Sequence, residues 1–494
     1  MIRATQLRLF AVALALALAP TLAPARLLPA AHLAAQTVAA PAAQPATPAP
    51  AGATSLTIDD AIKAALANDP GIRSGSWDLL SARARAEDAK FRMLPSLSAS
   101  TGYTQLSPEP VPGAINTGIT NVDETVNFLL KDFSSAPSNS RDVRLDLQYP
   151  IFAGFRLREA AEIAKLQSLG KADALELAKR ALVFETKRAY WEAVRATANV
   201  DSLGTSLELE NLRRGEINSL AEQGMATTAD QLDEEARYDQ TELSLDEARS
   251  MKAMAFLALS SLIGDQTAAS ASPDDYALAS APNETVEPAL GAADNGGTLD
   301  EGKLIEEALG NRPDARAASV ALNASLHAQT AARGDLLPSV LLSGSIAYQD
   351  PDPRVIPPVD AFDLTWSVGI RLRYDIGGVP GALERGKAAA ADVEKARADL
   401  QRQRNGIALD VRRCLLAFKR ARTSLDLTKG MVTQAEENLR VAQAKYDNGI
   451  AKRSELLQSQ IAVLRANFAV ENKLVDLEIA QADLARAAAL EPLL

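Results

Sequence analysis

The chain has 494 residues, and its 52 Lys and Arg against 63 Asp and Glu give a formal net charge of −11. This balance, without a basic cluster, argues against a nucleic-acid partner, because phosphate binding needs clustered Lys and Arg. The only cysteine is Cys414, so the sequence holds no disulfide framework.

The first 25 residues have the pattern of a secretory signal peptide. A short basic segment precedes an apolar run from Leu9 to Ala19, and small residues follow up to Ala25. We expect residues 1–25 to be the signal peptide. Residues 26–53 are rich in Ala and Pro and are predicted to form a linker, since such a composition cannot bury enough apolar surface to fold.

The remaining sequence contains two copies of one unit. A shift of 243 positions aligns the segment from Leu56 with the segment from Leu299, including Asn68-Asp69-Pro70 with Asn311-Arg312-Pro313. A second register, shifted by 225 positions, pairs Gly224 with Gly449. We expect repeat 1 at 54–264, an equatorial linker at 265–297 and repeat 2 at 298–494.

Each copy carries two strand patterns after its first helix. Around Val143–Tyr149 and Leu364–Ile376, apolar and polar residues alternate with a period of two, and segments near Leu97–Tyr103 and Val340–Tyr348 alternate less cleanly. Strands of about 10 residues with one apolar face are typical of a transmembrane barrel. A soluble β-sandwich is the alternative that the strands alone leave open.

Long proline-free segments follow the strands in both copies. In repeat 1 they predict a helix from Phe155 to Gln223, about 100 Å long, and a shorter return helix from Ala226 to Ile263. The segment from Thr57 to Met93 is predicted to be a further helix that stacks on the return helix and makes up its length. Heptad spacing with small residues indicates coiled-coil-like hairpins that reverse at Gly224 and Gly449.

Four strands cannot close a barrel, and an open edge in lipid leaves backbone groups without partners. The barrel must therefore be shared between subunits, and two or three chains fit equally well.

Several motifs together resemble the TolC-like outer-membrane factor family, also known as outer membrane efflux proteins. They are Asn68-Asp69-Pro70 with its copy, a repeated Leu-Pro-Ser, the strand exit Tyr149–Gly154 and the helix turn Tyr446–Gly449. They occur in order over nearly the whole mature chain. The resemblance implies a trimer with a 12-stranded outer-membrane barrel and an α-helical tunnel in the periplasm. The family has lipidated and non-lipidated members, and because no Cys follows the predicted signal peptide, we expect this chain to be non-lipidated.

The family also implies partners for such a duct. A periplasmic adaptor and an inner-membrane pump of the RND, ABC or MFS type dock to a closed tip in tripartite efflux or type I secretion. By this resemblance, the adaptor-docking turns are Gly224-Met225-Ala226 and Gly449-Ile450-Ala451.

The family closes its tip with carboxylates and a Tyr–Arg–Asp linkage. By position, Tyr446 and Asp230 match the tyrosine and the aspartate, and Glu455 matches one ring carboxylate. The arginine position is Ala451, so Lys452 or Arg453 is expected to replace it toward Asp230 or Asp233. The second ring position is Gln458. A solvated helix start is the simpler interpretation of Asp230, Asp233 and Glu455.

The sequence also bears on two alternative classes of protein, an enzyme and a periplasmic adaptor. An enzyme would need a site, but no metal-ligand spacing, nucleophile motif or phosphate loop occurs, and His327 is expected to be a packing or surface residue. No cofactor is therefore expected. A periplasmic adaptor would have one hairpin flanked by small β domains, whereas this sequence predicts two hairpins. The segment from Leu106 to Ser140 is predicted to be an extracellular loop.

Overall fold

The computed structural model describes residues 54–105, 118, 123, 139–264, 276–278, 300–352, 354 and 361–490. The predicted signal peptide, the predicted linker, most of the loop from Leu106 to Ser140 and most of 265–297 lie outside these residues.

The described elements repeat in the same order in the two halves of the chain. Repeat 1 comprises β1 (Thr54–Leu56), α1 (Ile58–Asn68), α2 (Pro70–Phe91), β2 (Ser96–Gln105), β3 (Asn139–Ala153), α3 (Arg156–Glu222) and α4 (Thr228–Ile263). The segment β4 (Tyr276–Leu278) follows it. Repeat 2 comprises α5 (Glu301–Asn311), α6 (Pro313–Gly334), β5 (Ser339–Asp350), β6 (Asp363–Arg373), α7 (Val379–Asp447) and α8 (Arg453–Ala488).

The helix that the sequence predicted as continuous in repeat 1 is divided into two. The single helix predicted from Thr57 to Met93 is wrong, because it breaks at Asp69. The Asp69 backbone is extended, and its Oδ1 accepts the N–H of Ile72 at 2.7 Å, which caps α2. Pro70 then occupies the first turn of α2, where its missing N–H costs nothing. Repeat 2 has the same break before Pro313.

The predicted stacking of short helices beside the long one is present. The Asn68 side chain donates to the carbonyl of Ile263 at 2.8 Å, so the end of α4 meets the junction of α1 and α2. Gly264 ends α4 with φ 73°, and a Cβ there would lie 2.6 Å from the Asn68 Cβ. Only glycine meets both conditions.

A buried core lies at this junction of short helices. Its centre is Tyr190 on α3, which is fully buried and donates its hydroxyl to the carbonyl of Leu56 at 3.1 Å. Trp191, Phe256 and Val475 pack around it. Strand β1 pairs in parallel with β4 here, so the three described residues of the predicted equatorial linker lie partway along α3.

The four long strands form one antiparallel sheet in the order β2-β3-β5-β6. The outer strands β2 and β6 therefore each have one unpaired edge within the described protomer. On β6 the alternating apolar side chains are exposed, namely Leu364, Trp366, Val368, Ile370 and Leu372.

A tight crossing joins the sheet to the long helices. A Cβ on Gly154 would lie 2.3 Å from the carbonyl oxygen of Gly334, so the two backbones touch. Asp335 next to it accepts from Arg156 at 3.0 Å and from Arg385 at 2.9 Å. One carboxylate thus ties the starts of α3 and α7 together. Among the described residues, no helix is long and apolar enough to cross a membrane.

Candidate functional site: the two hairpin tips

On the side of the junction away from the sheet, the helices lie side by side in the order α4-α3-α8-α7. We call α3, α4 and their turn hairpin 1, and α7, α8 and their turn hairpin 2. The two hairpins contact each other through α3 and α8. Every residue predicted for the gate and for adaptor docking lies at or near their free ends.

The same backbone geometry forms both turns. Gly224 has φ 76° and Gly449 has φ 69°, a left-handed conformation that favours glycine. The next N–H, of Met225 or Ile450, donates to a carbonyl five residues back at 2.8 Å in each case. The side chains of Met225 and Ile450 are 59% and 77% exposed, respectively. The turns therefore present one large apolar side chain each.

Helix α4 begins with a complete capping box. The Thr227 hydroxyl oxygen accepts the N–H of Asp230 at 3.2 Å, and the Asp230 carboxylate accepts the N–H of Thr227 at 2.8 Å. The Thr227 N–H and hydroxyl, which both donate to the Asp230 carboxylate, together with the charge of Lys452, hold the pKa of Asp230 below its usual range. The helix-start interpretation of Asp230 therefore has a definite geometry.

Helix α8 begins differently. Its N-cap position is Lys452, which has no side-chain acceptor for the first N–H groups. Instead, Glu216 of α3 faces the backbone N–H of Arg453 from the neighbouring hairpin. Burial raises the pKa of Glu216, although Arg453 and Lys452 oppose this rise. The start of α8 thus has a carboxyl group of hairpin 1 beside it.

The two candidate replacements for the family's arginine have different neighbours. The charge of Lys452 acts on both Asp230 and Glu216, whereas that of Arg453 acts on Glu216. Of these two cations, Lys452 is the one whose charge lowers the pKa of Asp230, and the replacement of the arginine by either of them stays a prediction.

The other predicted gate residues stand apart within the protomer. Tyr446 is partly exposed, and its hydroxyl has no hydrogen-bond partner among the described residues. Asp233 and Glu455 are exposed. Glu455 lies in the first turn of α8, where its N–H donates to the carbonyl of Lys452 at 3.1 Å. One protomer does not join Tyr446 to Asp230.

A buried ion cluster crosses hairpin 1 about three turns from its tip. Arg213 of α3 donates to both carboxylate oxygens of Glu234 of α4, at 2.7 and 2.6 Å. Their side chains are only 6% and 12% exposed. Glu210, also buried, lies 3.8 Å from Arg213 and 4.0 Å from Arg465 of α8. The cluster therefore joins the two helices of hairpin 1 and reaches hairpin 2.

Sequence reasoning missed Glu216 and this cluster, but a signal for the cluster exists. Arg213 and Glu234 stand at nearly equal distances on either side of Gly224, so folding at that glycine places opposite charges together. Glu216 gives no comparable signal, because its partner belongs to the other repeat.

Groups outside the tips have structural partners. His327 Nδ1 lies 2.5 Å from the Glu159 carboxylate and so joins α6 to α3, which agrees with the packing or surface role expected for this histidine. The buried Cys414 thiol donates to Asp483 at 3.2 Å, and its pKa is raised to about 12, chiefly by burial. Within the described ranges, no cluster of three His, Cys, Asp or Glu side chains could hold a metal ion.

This arrangement of a four-stranded sheet and two long helical hairpins defines an outer-membrane channel protein. The sequence model of the family described as outer membrane efflux protein matches residues 61–265 and 304–490. The chain belongs to this family. It is an outer-membrane protein with helices that extend into the periplasm, and its family consists of channels rather than enzymes. No curated protein sequence matches the chain.

Solved structures share the fold. A membrane protein from Pseudomonas aeruginosa is 23% identical with a TM-score of 0.70, covering 87% of this chain and 93% of that one. The CmeC outer membrane channel of Campylobacter jejuni is 18% identical with a TM-score of 0.72, covering 88% and 85%. The outer membrane protein VceC of Vibrio cholerae is 18% identical with a TM-score of 0.67, covering 87% and 95%. The predicted fold class and family are confirmed.

Proposed function

We propose that three copies of this chain form a passive exit duct for substrates delivered by an inner-membrane pump and a periplasmic adaptor, in tripartite efflux or type I secretion. The observation that carries this proposal is that both sides of the protomer have surfaces that lack a partner. At one end, the sheet has unpaired edges at β2 and β6. Edge strands in lipid need partners, and three chains of four strands each would close a 12-stranded barrel.

The flanks of the helical layer support the same assembly. Helices α2 and α4 lie on one flank and α7 lies on the other. Both flanks carry large apolar side chains that are more than half exposed: Trp77, Leu80, Leu232, Leu243 and Met254 on the first, and Leu409, Leu416, Leu427 and Met431 on the second. Because different surfaces would meet, the contact is heterologous and closes into a ring.

The α7 flank offers a direct test of the ring. Leu427→Lys should reduce the fraction of trimer in detergent, because it puts a charge into the subunit contact. The matched control is Leu212→Lys, since Leu212 is also more than half exposed but lies on the central helix α3. Native mass spectrometry would measure both. Loss of trimer in the control alone, or in neither variant, contradicts the proposed contact.

The docking of an adaptor at the tips can be tested by crosslinking. A photo-crosslinking residue at Ile450 or Met225 should capture a co-expressed periplasmic adaptor, because both side chains are exposed at the turns. Ile376, which is equally exposed but lies beside the sheet, is the matched control. Crosslinks at Ile376 and none at either turn would count against docking at Gly224–Ala226 and Gly449–Ala451.

The tip is also proposed to select ions. Glu455, exposed in the first turn of α8, would form an anionic ring when repeated in a trimer and would favour cations. Single-channel recordings of Glu455→Gln should show a loss of cation preference, and Asp233→Asn on α4 provides the comparison. Unchanged ion selectivity in Glu455→Gln would contradict the proposed role of Glu455 in the gate.

A further inference from the structure

Glu216 occupies an unusual position between the hairpins. It lies on α3 about two turns before Gly224, and it faces the start of α8. Its Oε2 atom is buried and has no hydrogen-bond partner in the part of the chain that the structure describes. A buried polar atom without a partner is costly, and native proteins contain few of them. The contact between the hairpins therefore includes a carboxyl group that, when ionised, has too few hydrogen-bond donors.

Glu216 also stands where a helix cap would stand. In hairpin 1, the cap of α4 comes from Thr227, the residue directly before that helix. The corresponding residue of α8, Lys452, supplies no side-chain acceptor, and the acceptor facing the Arg453 N–H comes from α3. Separation of the two hairpins would therefore expose the Glu216 carboxyl to water and leave the Arg453 N–H without it.

The charges around Glu216 do not fully compensate its burial. From α8, the cations Arg453 and Lys452 favour the ionised carboxylate, but burial outweighs them and the pKa of Glu216 is raised. On α4, the charged residue nearest the turn, Asp230, is engaged in its own capping box. On α3 itself, Arg213 is paired with Glu234, and Arg214 is paired with Glu235.

We propose that Glu216 makes the junction of the two hairpin tips sensitive to pH, so that mild acid tightens the junction. The neutral carboxyl still accepts a hydrogen bond, carries no buried charge and gains an O–H donor. Because this pKa is higher in the closed junction than in water, the junction gains stability as pH falls through the raised value toward the ordinary 4.5. This is a property of the junction, and it holds whether or not the tip is the entrance of a duct.

Hydrogen–deuterium exchange in the first turns of α8 measures this effect in the full chain in detergent. After correction for intrinsic exchange, protection of residues 453–460 should rise as the pH is lowered from neutral toward 4.5. Glu216→Gln, which carries no charge at any pH, should lose this dependence and keep the high protection. Protection that falls with acid in the native chain, or an unchanged dependence in Glu216→Gln, overturns the proposal.

Two further variants distinguish the effect of Glu216 from a general effect of acid and from misfolding. Arg453→Ala removes a cation that favours the ionised form, so the rise in protection should begin at a higher pH. Thr227→Ala uncaps α4 within its own hairpin and should leave the pH dependence of α8 unchanged. A shift to lower pH in Arg453→Ala, or loss of the dependence in Thr227→Ala, would contradict the assignment to Glu216.

Discussion

The two hairpin tips have the same turn geometry but are stabilised in different ways. Hairpin 1 is held by its own residues, through the capping box of α4 and the buried Arg213–Glu234 ion pair. Hairpin 2 has neither feature, since Lys452 stands at the capping position and the counterpart of Arg213 is the exposed Asn438. The two copies of the unit have thus diverged. One hairpin is stabilised by contacts within itself, and the other has contacts from the neighbouring hairpin instead.

The largest expected difference between the hairpins concerns the ion cluster. Arg213→Ala should destabilise hairpin 1 by about 3 kcal/mol, because it leaves Glu234 and Glu210 buried with only the more distant Arg237 and Arg465 as cations. The matched change in hairpin 2, Asn438→Ala, should stay within about 0.5 kcal/mol, since Asn438 is exposed. Local opening free energies from hydrogen exchange would compare them. Equal effects would show that the cluster does not distinguish the hairpins.

Substitution of the turn glycines should destabilise both hairpins equally, because the two turns have the same backbone geometry. Gly224→Val and Gly449→Val should each cost about 1–2 kcal/mol, because a β-branched residue is strained at positive φ. A Cβ at either glycine meets nothing within 4 Å, so the cost comes from the backbone alone. Gly→Asn at the same positions should be tolerated better. The rate of proteolysis at each tip would measure the destabilisation. Faster cleavage in only one of the two valine variants would contradict equal geometry.

Substitutions at the N-cap positions of α4 and α8 should have smaller effects, of opposite sign in the two helices. Thr227→Ala should cost hairpin 1 about 1 kcal/mol through the lost cap of α4, whereas Lys452→Thr should stabilise the start of α8 by a similar amount. Hydrogen exchange in the first turns of α4 and α8 reports both changes. Destabilisation of α8 by Lys452→Thr would mean that the lysine charge matters more than capping.

The smallest effect is the pH response of the α4 cap. Because the pKa of Asp230 is lowered in the folded chain, its contribution is complete above the ordinary value of 3.8 and is lost as pH falls through the lowered one. Protection of the first turn of α4 should therefore decrease only in strong acid, in the opposite direction to that proposed for α8. Asp230→Asn, which cannot ionise, should abolish the decrease, whereas Thr227→Ala keeps the backbone N–H that donates to Asp230 and should only weaken it. A decrease near neutral pH would exclude Asp230 as its source.

The sequence predicted most of the fold because periodicity and repetition are local signals. The helix predicted from Phe155 to Gln223 differs by one residue at each end from α3, since no proline or cap interrupts it. The break at Asp69 was missed, although Asp-Pro is a helix-start signal, because the apolar pattern continues across it.

The tips were less predictable from the sequence. Both turns follow from their glycines, and the helix-start interpretation of Asp230 matches its capping box. The role of Glu216 could not be inferred, because its contact with α8 joins the two repeats and depends on how their hairpins pack. Interactions between chains, which the Tyr446 and Glu455 predictions require, are likewise not encoded by local spacing.

The mass of the purified complex tests the central claim most directly. Native mass spectrometry of the mature chain, extracted from outer membranes in mild detergent, should give three copies per particle, because the proposed 12-stranded barrel pairs the free edges of β2 and β6 of three chains. A particle of one or two chains that retains channel conductance would contradict the proposed trimeric duct.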